Sequence, residues 1–149
     1  MDPAPLVTTD WLAEHLDDPT VRVVDCRWYL RPFDLRNGID EYTTAHIPGA
    51  VHVRWDTDIA DPDRPGLWML AGPERYAAAM GERGIGDDTL VVAYDDQHVT
   101  VAARLWWSLR VYGHTAVAVL DGGLPKWVAE GRPVESAIPN YPPATFAPK

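Results

Sequence analysis

The chain has a single cysteine, Cys26, among 149 residues, so no internal disulfide can form. That fits a reducing compartment such as the cytoplasm and sets disulfide scaffolds aside. No apolar run approaches the ~18 residues a membrane span needs. The start, Met1-Asp2-Pro3-Ala4-Pro5, lacks the basic and apolar regions of a secretory signal. Basic residues are scarce: 13 Lys and Arg against 22 Asp and Glu leave a net charge of −9. Nucleic acid and anionic membranes need clustered cations, so neither is an expected partner. There is no P-loop and no G-x-G-x-x-G run. His46 and His52 have no Cys or His partners at zinc spacing. Asp56, Asp58, Asp61 and Asp63 break the EF-hand pattern, and Leu67 stands where its bidentate Glu should be. The expectation is neither a metal nor a cofactor.

What the chain does have is alternation. Short apolar runs at 21–25, 50–53, 90–94 and 116–120 read as strands. Between them lie helix signals: Asp10 to Leu16 capped by Thr9, a turn over 40–45, Glu74 to Arg83 behind Pro73 at N1, 101–112 before Gly113, and Leu124 to Glu130 before Gly131. Apolar strands separated by helices predict a parallel α/β sheet covered on both faces. The length is that of one domain with one sizeable core. Prolines 133, 139, 142, 143 and 148 crowd the end of the chain and impose extended backbone there. The expected organisation is a domain over 1–132 and a Pro-rich tail, or the start of an interdomain linker, over 133–149.

The six residues Asp95-Asp96-Gln97-His98-Val99-Thr100 join the strand at 90–94 to the helix at 101–112. A strand that turns tightly into a helix aims its loop amides and the helix N-terminus at one point. That is an anion cradle and a common position for a nucleophile.

Two motifs, at the expected distances on either side of the 95–100 loop, carry a resemblance. His46-Ile47-Pro48-Gly49-Ala50 resembles the HIPGA motif of rhodanese-like domains. Leu120-Asp121-Gly122-Gly123 with Trp127, Gly131 and Pro133 resembles the family's closing LDGG-x-x-x-W-x-x-x-G-x-P segment. More narrowly, Asp25-Cys26-Arg27-Trp28-Tyr29-Leu30 and Ala103-Arg104-Leu105-Trp106-Trp107 resemble the N-terminal half of two-domain thiosulfate and 3-mercaptopyruvate sulfurtransferases. The resemblance implies a rhodanese-like α/β fold with a five-stranded, mostly parallel sheet and helices on both faces. It also implies a catalytic cysteine on a second, C-terminal rhodanese domain, with an acidic residue in its place here. The implied partner is that second domain, and a small anionic sulfur donor would bind only in the full-length protein.

Asp95 occupies the first loop position, where the family's catalytic domains carry cysteine. Storing sulfur as a persulfide needs a soft, polarizable thiolate. A carboxylate is hard and forms no stable persulfide. Asp95 and Asp96 would instead satisfy the cradle amides from within and repel anionic donors. An aspartyl nucleophile or a metal ligand is the functional alternative at Asp95, and helix capping the structural one. Cys26 follows a strand and reads as a small buried hydrophobe, the other reading being a nucleophile. His98 reads as an exposed loop residue, and His46 as part of a turn set by Pro48 and Gly49.

Arg27, Trp28, Tyr29 and Leu30 are candidates for an interdomain or substrate wall. Trp28, Tyr29 and Leu30, with parts of the 55–70 loop, are expected to form an exposed apolar patch. Arg22, Arg27, Arg31, Arg36 and Arg54 are candidates for a local basic pocket, against the plainer expectation that most are solvated. Trp106 and Trp107 are expected to share one broad buried helix face. A free-standing, non-catalytic module that binds a protein partner is the alternative to the sulfurtransferase reading.

Overall fold

The computed structural model describes residues 3–149; Met1 and Asp2, at the chain start read above, lie outside them. Ten elements alternate along the described residues: β1 (Leu6–Val7), α1 (Thr9–His15), β2 (Val21–Asp25), α2 (Gly38–Thr44), β3 (Val51–His52), α3 (Pro73–Glu82), β4 (Leu90–Tyr94), α4 (Ala102–Val111), β5 (Val117–Leu120) and α5 (Gly123–Ala129). The strands form one five-stranded sheet in the order β1-β5-β4-β2-β3. Every pairing is parallel, with Val23 opposite Val92 and Val92 opposite Ala118 at the centre.

Side chains alternate across the central strands with the two-residue strand period. Val24, Val91, Ala93, Val117 and Val119 face α3 and α4, where Tyr76, Met80, Leu105 and Leu109 are buried against them. Val21, Val23, Val92, Tyr94 and Leu120 face the other way, onto Leu12 of α1, Tyr42 of α2 and Trp127 of α5. Both faces are therefore covered, which is why β2 reads as continuously apolar apart from Arg22 and Asp25.

Three local expectations change. Thr8, not Thr9, caps α1: its hydroxyl accepts from Trp11 N at 3.0 Å, while Thr9 turns inward and is buried. Trp106 is half-buried but Trp107 is 44% exposed, because consecutive helix positions sit about 100° apart and the buried stripe passes through Leu105 and Leu109. Arg22 and Arg27 are buried rather than solvated. Arg22 lies over the Tyr141 ring, 3.2 Å from its centroid, so its stem and plane are covered by the C-terminal segment.

Residues 133–149 contain no helix. They run back across the body in extended form. Glu135 pairs with His46 as an antiparallel bridge, Ala144 N donates to Gly81 O at 3.0 Å, and Lys149 N donates to Tyr112 O at 2.9 Å. Phe146 is buried beside Tyr76 and His114. His46 itself is 0% exposed, with Nδ1 bonded to Tyr42 O and Nε2 to Ala137 O. It joins the end of α2 to the C-terminal segment, an architectural role.

Candidate functional site

The site forms where β4 gives way to α4. Asp95 is the first residue beyond the strand and is 0% exposed. Its carboxylate accepts four backbone N–H groups: Gln97 at 2.9 Å and Val99 at 3.1 Å on Oδ1, Val101 at 2.8 Å and Ala102 at 2.7 Å on Oδ2. The last two belong to the start of α4, so one side chain caps the helix and fills the loop cradle together. To bring those amides inward, His98 and Val99 both take left-handed backbone, φ 58° and 60°. For a β-branched residue such as Val99 that conformation is strained. The carboxylate's bonds hold it in place.

The loop is clamped from its other side. Asp95 O accepts Leu124 N at 3.0 Å, and a Cβ on Gly123 would lie 2.5 Å from that same oxygen. Only glycine lets the start of α5 approach so closely, which explains the Gly122-Gly123 pair physically. A cavity of about 290 Å³ remains, lined by Asp95, Asp96, His98, Val99, Asp121 and Pro125. Its three carboxylates give it the wrong sign for an anionic sulfur donor. His98 is exposed at the loop tip, and the Thr100 hydroxyl donates back to Gln97 O at 2.7 Å.

Asp96 turns toward the wall. Its Oδ2 accepts the Tyr29 hydroxyl at 2.7 Å and lies 3.5 Å from Arg36 Nη1. Burial, helped by the Asp96 bond, pushes the Tyr29 phenol well above its usual range, so it stays a donor. Gln97 Nε2 donates to Trp28 O. Segment 28–30 and loop 95–100 are thus tied to one another.

The expected exposed patch is corrected here. Tyr29 is 5% exposed and packs inward, because its hydroxyl reaches Asp96. Leu30 remains 44% exposed and Leu67 73%. Trp28, Trp55 and Trp68 are half-buried and meet edge to face, with centroids 4.9 to 5.2 Å apart. Beside them a cleft of about 390 Å³ is lined by Trp28, Leu30, Trp55, Gln97, Thr100 and Arg104. The wall is therefore an aromatic cleft rather than a flat apolar surface.

Beneath the wall lies a buried polar network that the sequence reading missed. Asp25 accepts Arg27 Nε and Nη2 and the Tyr94 hydroxyl, the last at 2.7 Å. Tyr94 in turn accepts Ile47 N at 3.1 Å. The ring Nε2–H of His52 donates to Arg27 O at 3.2 Å, and burial holds this histidine below its ordinary pKa. The signal in the sequence was Asp25 two residues before Arg27, the spacing at which an Asp side chain accepts the backbone N–H two positions on, as it does here at 2.9 Å.

Cys26 is buried beside Val24 O. Burial, and then the charges of Asp25 and Asp95, push its thiol well above the usual range. A thiol held protonated in the core is a poor nucleophile. Asp56 pairs with Arg54 and Asp58 with Arg83, while Asp61 accepts Asp63 N, so these carboxylates serve local turns and ion pairs.

A strand, a tight amide-lined loop and a helix, followed by a double-glycine contact from the last helix, define a rhodanese-type α/β domain. The model of the rhodanese-like domain family matches residues 8–130, and the chain belongs to that family. Several of its relatives are named as sulfurtransferases. It is 45% identical over 136 residues to thiosulfate/3-mercaptopyruvate sulfurtransferase 2 of Arabidopsis thaliana, matching 91% of this chain and 39% of that protein. It is 37% identical over 140 residues to the 3-mercaptopyruvate sulfurtransferase of Escherichia coli K12, covering 94% and 50%. The crystal structure of SseA from Escherichia coli, a 3-mercaptopyruvate sulfurtransferase, superposes with a TM-score of 0.91 at 35% identity, covering 99% of this chain and 56% of that one. The chain thus spans about half, or less, of the length of these relatives. Among the described residues, no helix is long and apolar enough to cross a membrane.

Proposed function

We propose that this chain is the N-terminal, cysteine-less rhodanese domain of a two-domain sulfurtransferase. The parent protein moves sulfane sulfur from thiosulfate or 3-mercaptopyruvate to cyanide or a thiol, in a reducing compartment such as the cytoplasm. The reactive thiol sits on a second rhodanese domain of the same polypeptide. Residues 1–132 form the domain, and 133–149 lead toward its partner while strapped to its body. Its contribution is structural support and one wall of the active site, built from Arg27, Trp28, Tyr29 and Leu30.

One observation carries this reading: the cradle that a persulfide would need is already filled by Asp95, whose carboxylate takes four amides. With Asp95 and Asp96 both negative, an anionic donor also meets repulsion there. The sulfurtransferase relatives are about twice the length of this chain or more, which leaves room for the second domain that this reading requires.

The test is thiocyanate formation from thiosulfate and cyanide. This chain alone is expected to give the rate of the buffer blank. Its full reading frame is expected to encode a second rhodanese domain with cysteine at the first loop position, and that protein is expected to turn over. Turnover by this chain alone, lost in Cys26→Ser, would make Cys26 the nucleophile and overturn the proposal.

A further inference from the structure

A second place in this chain gathers groups that suit an anion, on the far side of the wall segment from the Asp95 cradle. Arg27, Arg31, Arg36 and Arg54 line a cleft of about 50 Å³ between the wall segment and the start of α2. Three of these arginines are held in the same way. Arg27 gives Nε and Nη2 to Asp25, Arg36 gives Nε and Nη2 to Asp34, and Arg54 gives Nε and Nη2 to Asp56. Each keeps its Nη1 out of that pairing. The Nη1 of Arg36 lies 3.5 Å from Asp96 Oδ2, while those of Arg27 and Arg54 have no partner among the described residues. Arg31 has no ion pair among them either.

The floor of the cleft is rigid. The Arg27 side chain is only 6% exposed, and its Nη2 is braced by Ala45 O at 2.6 Å. A Cβ on Gly38 would stand 2.0 Å from Arg27 O, so only glycine lets the start of α2 close over that backbone. The Arg27 guanidinium is pinned on two sides, and its remaining terminal N–H pair stays outside those bonds and open to solvent, where an incoming acceptor can reach it.

We infer that this cleft is an anion site for a small, doubly charged oxyanion of the sulfate or sulfite type. The volume admits about three or four water molecules and excludes a nucleotide or a peptide. With their forks on aspartates, these arginines offer the cleft single outer N–H groups from several sides, which suits an oxyanion with three or four oxygens better than a carboxylate, which one free fork would satisfy. Asp25, Asp34, Asp56 and Asp96 balance the arginine charge. The anion is therefore held by directed hydrogen bonds rather than by net field. The site belongs to this chain by itself, so it stands or falls independently of a second domain.

The test uses the 149-residue chain. Sodium sulfate, sodium sulfite and sodium acetate are titrated against sodium chloride at equal ionic strength. Arginine Nε–H and Trp28 indole signals are followed by NMR. Saturable shifts are expected with sulfate and sulfite and not with acetate. The double variant Arg31→Gln/Arg54→Gln spares the buried Arg27 and the Arg36 that faces Asp96, so it keeps the fold, as far-UV circular dichroism will check. It is expected to weaken binding about tenfold or more, the lower end for lost charge-assisted hydrogen bonds. Arg110→Gln, on the exposed side of α4, is expected to leave binding unchanged. No saturable sulfate response beyond chloride, acetate binding as tightly as sulfate, or equal weakening by Arg110→Gln and the double variant would each overturn the inference.

Discussion

Replacing Asp95 by alanine removes the acceptor of four amides at once. The N–H groups of Val101 and Ala102 are buried, whereas those of Gln97 and Val99 are only partly so. Once the loop loosens, water can reach the outer pair, and the strain at His98 and Val99 is released. The inner pair has no such relief. At about 1–3 kcal/mol for each buried group left without a partner, the expected loss is about 3–4 kcal/mol. That is a large part of the ~5–15 kcal/mol that holds a domain of this size, yet it leaves the chain folded. With a urea m value of about 2 kcal/mol/M, the midpoint should fall by about 1.5–2 M. Asp95→Asn keeps one acceptor oxygen but turns an NH₂ toward the other amides, so it should fall between wild type and alanine. Urea unfolding followed by tryptophan fluorescence measures all three proteins. An alanine variant within about 0.5 kcal/mol of wild type would refute the view that this carboxylate organises the loop.

Phe146→Ala should cost about 3 kcal/mol or more in the same assay, because this ring is buried against Tyr76 and His114; a surface-like cost below 0.5 kcal/mol would mean that the C-terminal segment is not part of the folded body. His52 is held neutral by burial, so the unfolded chain takes up a proton below its ordinary pKa of about 6.5 that the native state refuses. Stability should therefore be complete above that pH and fall as pH drops through it, and His52→Gln should flatten the difference; superimposable pH profiles for the two proteins would contradict this. Asp95→Cys places a thiol against the cradle amides and the start of α4, where thiolate is favoured. At neutral pH it should alkylate with iodoacetamide much faster than Cys26, yet transfer sulfur poorly while Asp96 remains; equal rates would show that the cradle does not act on a thiol.

Much of the fold was legible because burial on both faces writes itself into continuous apolar strands, as at 21–25 and 90–94. The stops were legible too: Gly84, Gly113 and Gly131 all take positive φ where the helices end. Strand β1 was not. It is two residues long, with Leu6 half-exposed, and the flanking prolines mask it. The first loop position could be read directly, since its chemistry depends on residue type alone. The inward turn of Tyr29 could not, because its partner Asp96 lies 67 positions away. The packing of 133–149 was hidden for a related reason. Proline content dictates extended backbone, and only the distant contacts of Tyr141 and Phe146 decide where that backbone goes.

The account rests most heavily on Asp95 denying this chain a place to store sulfur. Intact-mass spectrometry of the chain after incubation with thiosulfate, without reductant, reads that directly. The account predicts unmodified protein for wild type and Cys26→Ser alike. A stoichiometric one-sulfur adduct on wild type that is absent from Cys26→Ser would contradict it.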